Sequence, residues 1–331
     1  MVRKIAIDAG KGFTKMAIVR RDKETGGERV QVDKFPSKMT ENADMNDYIA
    51  GQSFTITYNG KTYVIGESGK NPTEREVSKK SELHKIATIT AIASLVDNGD
   101  EVWAVVGIPV SLASNAQARE DYKNYILPLG KHEVIIKKAG TKEVKKEFYI
   151  TKNGVALEGI GVAMIHSEIF SENLVGIVDL GNLNKNSFLI NNFVPVSDSF
   201  NTDNKGFRYL LQNMTTDLSG KLSMNISETE VAQKLRGPIE KRFLFNKEVE
   251  NSKEISKRLF EQNIHDYLKE TTDSIKNRWN MGNTDTVFVG GTSILLKNEI
   301  IEFCENEFGQ APIIFDDADY TNVKGFLKML G

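Results

Sequence analysis

The chain opens with Ile5-Ala-Ile-Asp8-Ala-Gly10-Lys-Gly12-Phe-Thr14-Lys15-Met-Ala-Ile18, an apolar run, a glycine-rich turn and a second apolar run. That pattern predicts two short strands around a tight turn. From about residue 33 to 84 the texture changes: Phe54, Ile56 and Tyr58 alternate with polar residues up to Asn59-Gly60, and Tyr63-Val-Ile65 follows. Asn-Gly between alternating runs is the signature of a two-residue hairpin turn. Residues 67–85 hold nine charges in nineteen positions and read as an exposed insertion, a solvated face with a partner surface as the alternative. Ile86 to Val96 is small and apolar throughout, as a buried helix is, and Glu101-Val-Trp-Ala-Val-Val106 reads as a buried strand. Strand alternating with helix implies α/β layering. Lys131 to Ile150 carries six lysines around Ala139-Gly140-Thr141. This fits the outer face of an edge strand, where lysine blocks aggregation, better than a nucleic-acid patch.

The second half repeats the theme. Val175-Gly-Ile-Val-Asp179-Leu-Gly181-Asn-Leu-Asn184-Lys-Asn-Ser-Phe-Leu-Ile190 is again strand, Asp-x-Gly turn, strand, and aligning the two aspartates sets the copies 171 residues apart. The repeat suggests two related lobes. Between 200 and 280 the chain turns helical. Phe207 to Ser219 is expected to end at Gly220, and Ser227-Glu-Thr-Glu230 is a capping box. Ile255, Leu259, Ile264, Leu268 and Ile275 recur at helical spacing on one long amphipathic helix. A strand Thr286–Val289, the pair Gly290-Gly291, an amphipathic run from Ile294 to Phe308, a strand Pro312–Phe315 and a helix from Tyr320 close the chain.

Composition narrows the function. At about 150 residues per domain, 331 residues suggest two lobes. With 43 Lys+Arg against 45 Asp+Glu the net charge is −2, which argues against binding DNA by bulk charge. A single cysteine, Cys304, excludes a disulfide framework and fits a reducing cytoplasm. His84, His132, His166 and His265 stand too far apart for a sequence-local zinc site. No apolar run reaches the length of a bilayer span, and Met-Val-Arg-Lys leads straight into a strand, so the expectation is a soluble, unexported protein.

Phosphate chemistry is the strongest candidate. Gly66-Glu-Ser-Gly69-Lys70 lacks the Walker spacing. An Asp-x-Gly turn between strands, however, exposes successive backbone N–H groups in a nest that wraps phosphate oxygens. Gly10, Gly12 and Thr14 supply that geometry, Lys15 adds a point charge, and Asp8 would hold Mg²⁺ through water. One such turn is commonplace; two on matched strands are not. Gly290-Gly291-Thr292-Ser293 is either a tight strand-to-helix turn or bare backbone for a nucleotide's sugar or α-phosphate. Glu158 either orients an attacking water or favours a helix N-terminus by its charge, ahead of a small-residue helix Gly161–His166 expected to bridge the lobes. His166 reads as packing.

Five motifs in order, Asp8-Ala-Gly-Lys-Gly-Phe-Thr-Lys15, the segment around Glu158, Asp179-Leu-Gly181, Val289-Gly-Gly-Thr-Ser293 and Asn322-Val-Lys-Gly325, resemble those of the actin, heat-shock chaperone and sugar-kinase ATPases. Phe35-Pro-Ser37, Tyr63-Val-Ile-Gly66-Glu67 and Val106-Gly-Ile-Pro109 are similar to plasmid-segregation actins of the ParM type. The resemblance implies an α/β, two-lobed actin-like fold of duplicated ribonuclease-H-like domains around a nucleotide cleft. Lobe I would comprise 1–163 and 319–331 with an insertion at about 33–84, and lobe II 164–318 with a helical insertion at about 200–280. It implies filament assembly driven by ATP or GTP with Mg²⁺. Asp8 and Asp179 would flank the metal through water. Gly10, Lys11, Gly12, Phe13, Thr14 and Lys15, with Gly181, Asn182 and Asn184, would surround the phosphates, and Glu158 would position water. Gly290, Gly291 and Thr292 would line the nucleoside, and Glu230 and Lys234 on helix 228–236 would border the base. One departure is that Asn184, followed by Lys185, stands where the family carries Thr or Ser. The partners implied are copies of the chain and a DNA-binding adaptor at filament ends, with no direct nucleic acid and no membrane. A metabolite kinase on the same core, or a cell-shape or division actin homologue, is the alternative; the apolar face Val323, Phe326, Leu327 and Leu330 of the tail helix reads as packing rather than as an anchor.

Overall fold

The computed structural model describes residues 1–21, 26–71, 80–113, 115–171 and 173–331, without the side chains of Val110 and Ser111. The chain divides into two compact units, Met1–Ile169 with Tyr320–Gly331, and Phe170–Asp319.

The first unit is built on a nine-stranded sheet of β1 (Val2–Ala9), β2 (Phe13–Arg21), β3 (Glu28–Pro36), β4 (Met39–Glu41), β5 (Ser53–Tyr58), β6 (Lys61–Gly66), β7 (Asp100–Ile108), β8 (Gly130–Lys138) and β9 (Val144–Leu157). Their order is β3-β2-β1-β7-β9-β8-β5-β6-β4, with β1, β7 and β9 parallel at its heart. Side chains of a strand alternate between faces, and the chain uses both. Ile5, Ile7 and Ile18 pack in one cluster with Ile86, Ile89 and Ile92 of helix Glu82–Leu95. Ala6, Ala17 and Ala156 pack on Val323, Phe326 and Leu327 of helix Thr321–Lys328. Alanine on that face lets the closing helix lie close to the sheet, and its apolar stripe is buried there as expected.

Local signals fix the details. Asn59 (φ 50°) and Gly60 (φ 76°) are both left-handed, as a two-residue hairpin between β5 and β6 requires. The lysine-rich hairpin is not at an edge: β8 pairs with β9 on one side and β5 on the other, and Lys146 of β9 turns to the end of helix Glu82–Leu95, donating to the Ala93 and Val96 carbonyls at 2.8 Å. Lys131 there bridges Glu133 at 2.7 Å and Glu147 at 2.9 Å. Of the charged stretch 67–85, residues 72–79 lie outside the described residues, and from Glu82 onward it belongs to a buried helix capped by Ser81.

The second unit repeats the architecture with β10 (Leu174–Leu180), β11 (Lys185–Asn191), β12 (Val194–Asp203) and β13 (Asp285–Val289) in the order β12-β11-β10-β13. Again an antiparallel meander of three strands is flanked by a parallel neighbour on its first strand. The expected strand Pro312–Phe315 is reduced to one bridge, Ile313 to Val287. Pro312 has no N–H to extend a ladder, and a turn begins at Asp316. Helices Phe207–Leu222, Glu228–Arg236, Ser252–Lys276 and Lys297–Phe308 complete the core. The first of these runs past Gly220 to a left-handed cap at Ser223 (φ 51°), because the added turn buries Leu222 completely. Gly220 is exposed, and a Cβ there meets nothing within 4 Å. Gly220→Ala is therefore expected to raise stability by about 0.5–1 kcal/mol in urea denaturation. Among the described residues no helix is long and apolar enough to cross a membrane.

Candidate functional site

In the first unit the hairpin register pairs Asp8 with Lys15 and Ala9 with Thr14, leaving Gly10 to Phe13 to turn the chain. A Cβ on Gly10 would stand 2.7 Å from the Phe13 carbonyl, so the turn admits only glycine there. Ser37, at the end of β3, holds the turn from behind. Its N–H donates to the Gly12 carbonyl (2.9 Å) and its hydroxyl to the Gly10 carbonyl (2.6 Å). The Ser37 proton being committed, the buried Thr14 hydroxyl donates to Ser37 Oγ at 2.9 Å. Lys11 and Lys15 are half-buried, and Phe13 is exposed with the Lys34 ammonium 5.3 Å from its ring.

Asp8 sits at the end of β1 and Glu158 just beyond β9, each on a strand parallel to β7. Gly107 of β7 separates them: a Cβ there would lie 3.5 Å from Asp8 Oδ1, 3.4 Å from Glu158 Cγ and 3.2 Å from the Phe326 ring. Two largely buried carboxylates, 7% and 5% exposed, thus flank one bare stretch of backbone. Beneath them the Tyr122 hydroxyl donates to the Gly107 carbonyl at 2.9 Å. Burial first, then the negative charges of Glu158 and Asp8, hold the Tyr122 phenol far above its ordinary pKa, so it remains a neutral donor. Glu158 is fixed by its own N–H on the Ile108 carbonyl (3.0 Å), and the next residue, Gly159, donates to Asn322 Oδ1 (3.0 Å). Short helix Gly161–Ile165 crosses helix Thr321–Lys328 at touching backbones: a Cβ on Gly325 would lie 2.2 Å from the Gly161 carbonyl oxygen.

The second unit reproduces the hairpin residue for residue. Asp179 pairs with Asn186 and Leu180 with Lys185, so the offset of 171 that aligns the aspartates also aligns the returning strands. The register makes Lys185 the counterpart of Thr14, and Asn184 belongs to the turn, its carbonyl accepting from the Gly181 N–H at 3.0 Å. Lys185 is completely buried, with Nζ 2.7 Å from Asp203 Oδ2, 3.1 Å from the Thr271 carbonyl and hydrogen-bonded to Ser274 Oγ. An ion pair with Asp203 of β12 and hydrogen bonds into the long helix thus take the place of the Thr14–Ser37 hydroxyl pair. Desolvation lowers the Lys185 pKa against the opposing pull of Asp203. Between that lowered value and 10.5 the unfolded chain binds more protons, so this group makes stability rise with pH. Lys185→Met is expected to cost about 2 kcal/mol near neutral pH and to flatten that rise, as read from urea midpoints across alkaline pH.

The start of helix Phe207–Leu222 closes the second turn. Phe207 N–H donates to the Gly181 carbonyl (3.0 Å) and Arg208 N–H to the Asn182 carbonyl (2.8 Å). Gly206 is required by contact, since its Cβ would lie 2.6 Å from Asn184 N. Gly290, at φ 92°, lies against the same turn: its Cβ would be 2.5 Å from the Leu180 carbonyl and 2.8 Å from Asp179 Oδ1. Thr292 donates to the Gly181 carbonyl (3.3 Å), and Gly291 approaches Asp319, whose Oδ1 a Cβ would meet at 3.2 Å. The Asp179 turn and the glycine pair, 111 residues apart by that hydrogen bond, are therefore one constellation. The capping box forms, and it occupies Glu230, whose carboxylate accepts from Ser227 N–H and hydroxyl, both at 2.8 Å. Lys234 Nζ lies 5.5 Å from the Phe243 ring.

Sequence reasoning missed Tyr122 and Gly206. Gly206 had a signal, a glycine immediately before the apolar start of a helix; Tyr122 had none. Among the described residues no three His, Cys, Asp or Glu side chains gather to hold a metal ion. Each hairpin by itself carries one largely buried strand-end carboxylate, Asp8 at 7% and Asp179 at 8% exposed, the kind of group that holds an ion such as Mg²⁺ through its water.

Residues 6–161 match the family model for the N-terminal domain of actin-like proteins. A search of curated proteins finds no match. Among solved structures, the Alp12 filament structure matches with 27% identity and a TM-score of 0.69, over 99% of this chain and 98% of that one. The actin-like protein Alp7A matches at 15% identity and a TM-score of 0.73, over 99% and 96%. Bacillus thuringiensis ParM with ATP matches at 16% identity and a TM-score of 0.68, over 99% and 98%. Residues 6–161 thus match an actin-like N-terminal domain, and the chain shares its fold from end to end with solved actin-like proteins.

Proposed function

We propose that the chain binds ATP or GTP with Mg²⁺, hydrolyses it, and uses the cycle to assemble and dissolve a homopolymeric filament in the cytoplasm. The observation that carries this reading is the hairpin duplicated in register, each copy with a strand-end aspartate and a glycine turn, one of them with Glu158 beside its aspartate. Backbone N–H groups of residues 10–15 and of Gly181, Asn182 and Asn184 hold phosphate oxygens, with Lys15 supplying charge. Gly290, Gly291 and Thr292 line the nucleoside. Asp8 and Asp179 hold the hydrated metal, which neutralises charge on the phosphates. Glu158 accepts a hydrogen bond from a water and orients it. The similar structures of ParM with ATP and of the Alp12 filament support the reading.

Nucleotide shifts assembly only by binding the assembling conformation more tightly than the free one. Partition of plasmid DNA follows if a DNA-binding adaptor joins the filament ends, and a net charge of −2 is compatible with a filament that leaves DNA to another protein. Sedimentation is expected to show polymer with ATP or GTP and magnesium above a critical concentration, and none with the diphosphate at the same concentration. A chain that stays monomeric at tens of micromolar with either triphosphate refutes the proposal.

A further inference from the structure

Helices Ser252–Lys276 and Lys297–Phe308 of the second unit border a groove of about 540 Å³. Its floor is apolar: Phe260, Ile264 and Leu268 at one-turn spacing on the longer helix, and Phe303 on the other. Its banks are acidic, with Glu261 on the longer helix, Glu302 and Glu307 on the other, and Glu240 from the short segment Ile239–Lys241. The cations of the lining are already engaged. Arg242 pairs with Glu299 at one end, and the Lys257 ammonium lies 5.5 Å from the Phe243 ring. Glu240, Glu261, Glu302 and Glu307 form no ion pair among the described residues. None of these groups belongs to the constellations around Asp8 and Asp179.

Shape and charge together select an occupant. Lys257 and Leu268, which mark the ends of the lining on the longer helix, are three turns apart, roughly 17 Å at about 1.5 Å per residue. An elongated apolar floor between carboxylate banks complements a helix with an apolar stripe flanked by cations, whereas a compact ligand would leave most of that length empty. We propose that this groove docks a basic amphipathic α-helix of a partner protein, its aliphatic stripe on Phe260, Ile264, Leu268 and Phe303 and its lysines or arginines against Glu261, Glu302 and Glu307. The proposal does not rest on nucleotide binding, because the groove lies within one unit and its lining shares no residue with either hairpin.

The test uses the full chain and a fluorescent synthetic helix of about 14 residues, leucine at i, i+3, i+4 and i+7 and lysine on both flanks. Anisotropy is expected to saturate with Kd on the order of 10 µM at low salt and to weaken as salt rises. The triple variant Glu261→Lys, Glu302→Lys, Glu307→Lys changes only exposed side chains, so it is expected to keep the wild-type melting temperature while losing at least about tenfold in affinity. A peptide with the same leucines and glutamate for lysine is expected not to bind. The proposal is overturned if the lysine peptide fails to saturate, if the glutamate peptide binds as well, or if the triple variant binds with unchanged affinity. It is equally overturned if the triple variant loses self-association and the lysine peptide does not compete with it, which would make a second copy of the chain the occupant.

Discussion

Gly325→Ala is expected to destabilise the first unit by about 3 kcal/mol, lowering its melting temperature by about 6–12 °C. The added methyl would stand 2.2 Å from the Gly161 carbonyl oxygen and 2.4 Å from Gly161 Cα, and both atoms are backbone, so no rotamer change relieves the clash. Gly161→Ala meets the same obstacle from the other side, at 2.5 Å from Asn322 Cα and from the Thr321 carbonyl oxygen. Either substitution forces helix Thr321–Lys328 away from helix Gly161–Ile165 and opens the packing of Val323, Phe326 and Leu327 against Ala6, Ala17 and Ala156. One separation of the helices relieves both clashes, so the double variant is expected to lose clearly less than the sum of the singles. Additive losses in urea denaturation would mean that the two glycines act independently. A secondary effect follows at the site: displacing Asn322 breaks its bond to Gly159, the residue after Glu158, so surviving protein should also hydrolyse nucleotide more slowly.

These glycines show what the sequence does and does not make legible. Asp8-x-Gly10 and Asp179-x-Gly181 are readable because the turn and its flanking strands are local, and the repeat between them survives as register. Asn59-Gly60 is readable because few residue pairs take two positive φ angles in succession. Gly220 misleads for the opposite reason: a glycine can end a helix, but burying Leu222 two residues later outweighs its modest helix penalty. The lysine hairpin looks like an edge because nothing within it reveals that β5, some eighty residues earlier in the chain, pairs along its outer side. Tyr122 reaches Gly107 only through the packing of helix Ala116–Ile126, and a buried tyrosine in that helix reads as core until its acceptor is known. Lys185 is the subtlest case. Counting from Gly181 directs attention to Asn184, and only the strand pairing shows that the residue matching Thr14 is a lysine turned into the interior.

Glu158→Gln is expected to leave nucleotide affinity within about threefold of wild type while slowing hydrolysis by about 10²–10⁴. The substitution keeps the size of the side chain and the Glu158 N–H bond to the Ile108 carbonyl, and removes one negative charge and the ability to accept a proton. Asp8→Asn should behave differently although its carboxylate flanks the same glycine. Under the proposed division of labour Asp8 holds the hydrated metal, so its loss should weaken triphosphate binding in magnesium by about tenfold or more and abolish most of the difference between binding with and without magnesium. Single-turnover phosphate release and titration of a fluorescent nucleotide separate the two effects. Filaments supply a further readout: under the proposed cycle, in which binding drives assembly and hydrolysis drives disassembly, the Glu158→Gln chain should still assemble with triphosphate but persist long after wild-type polymer has dissolved. Wild-type hydrolysis by Glu158→Gln would assign the water to another group, and equal binding losses in both variants would show that the two carboxylates share one role. Tyr122 makes the comparison clean. Its hydroxyl is bonded to the Gly107 carbonyl rather than to either carboxylate, so neutralising one of them eases the charge around a phenol that is already protonated and leaves the wall between them in place.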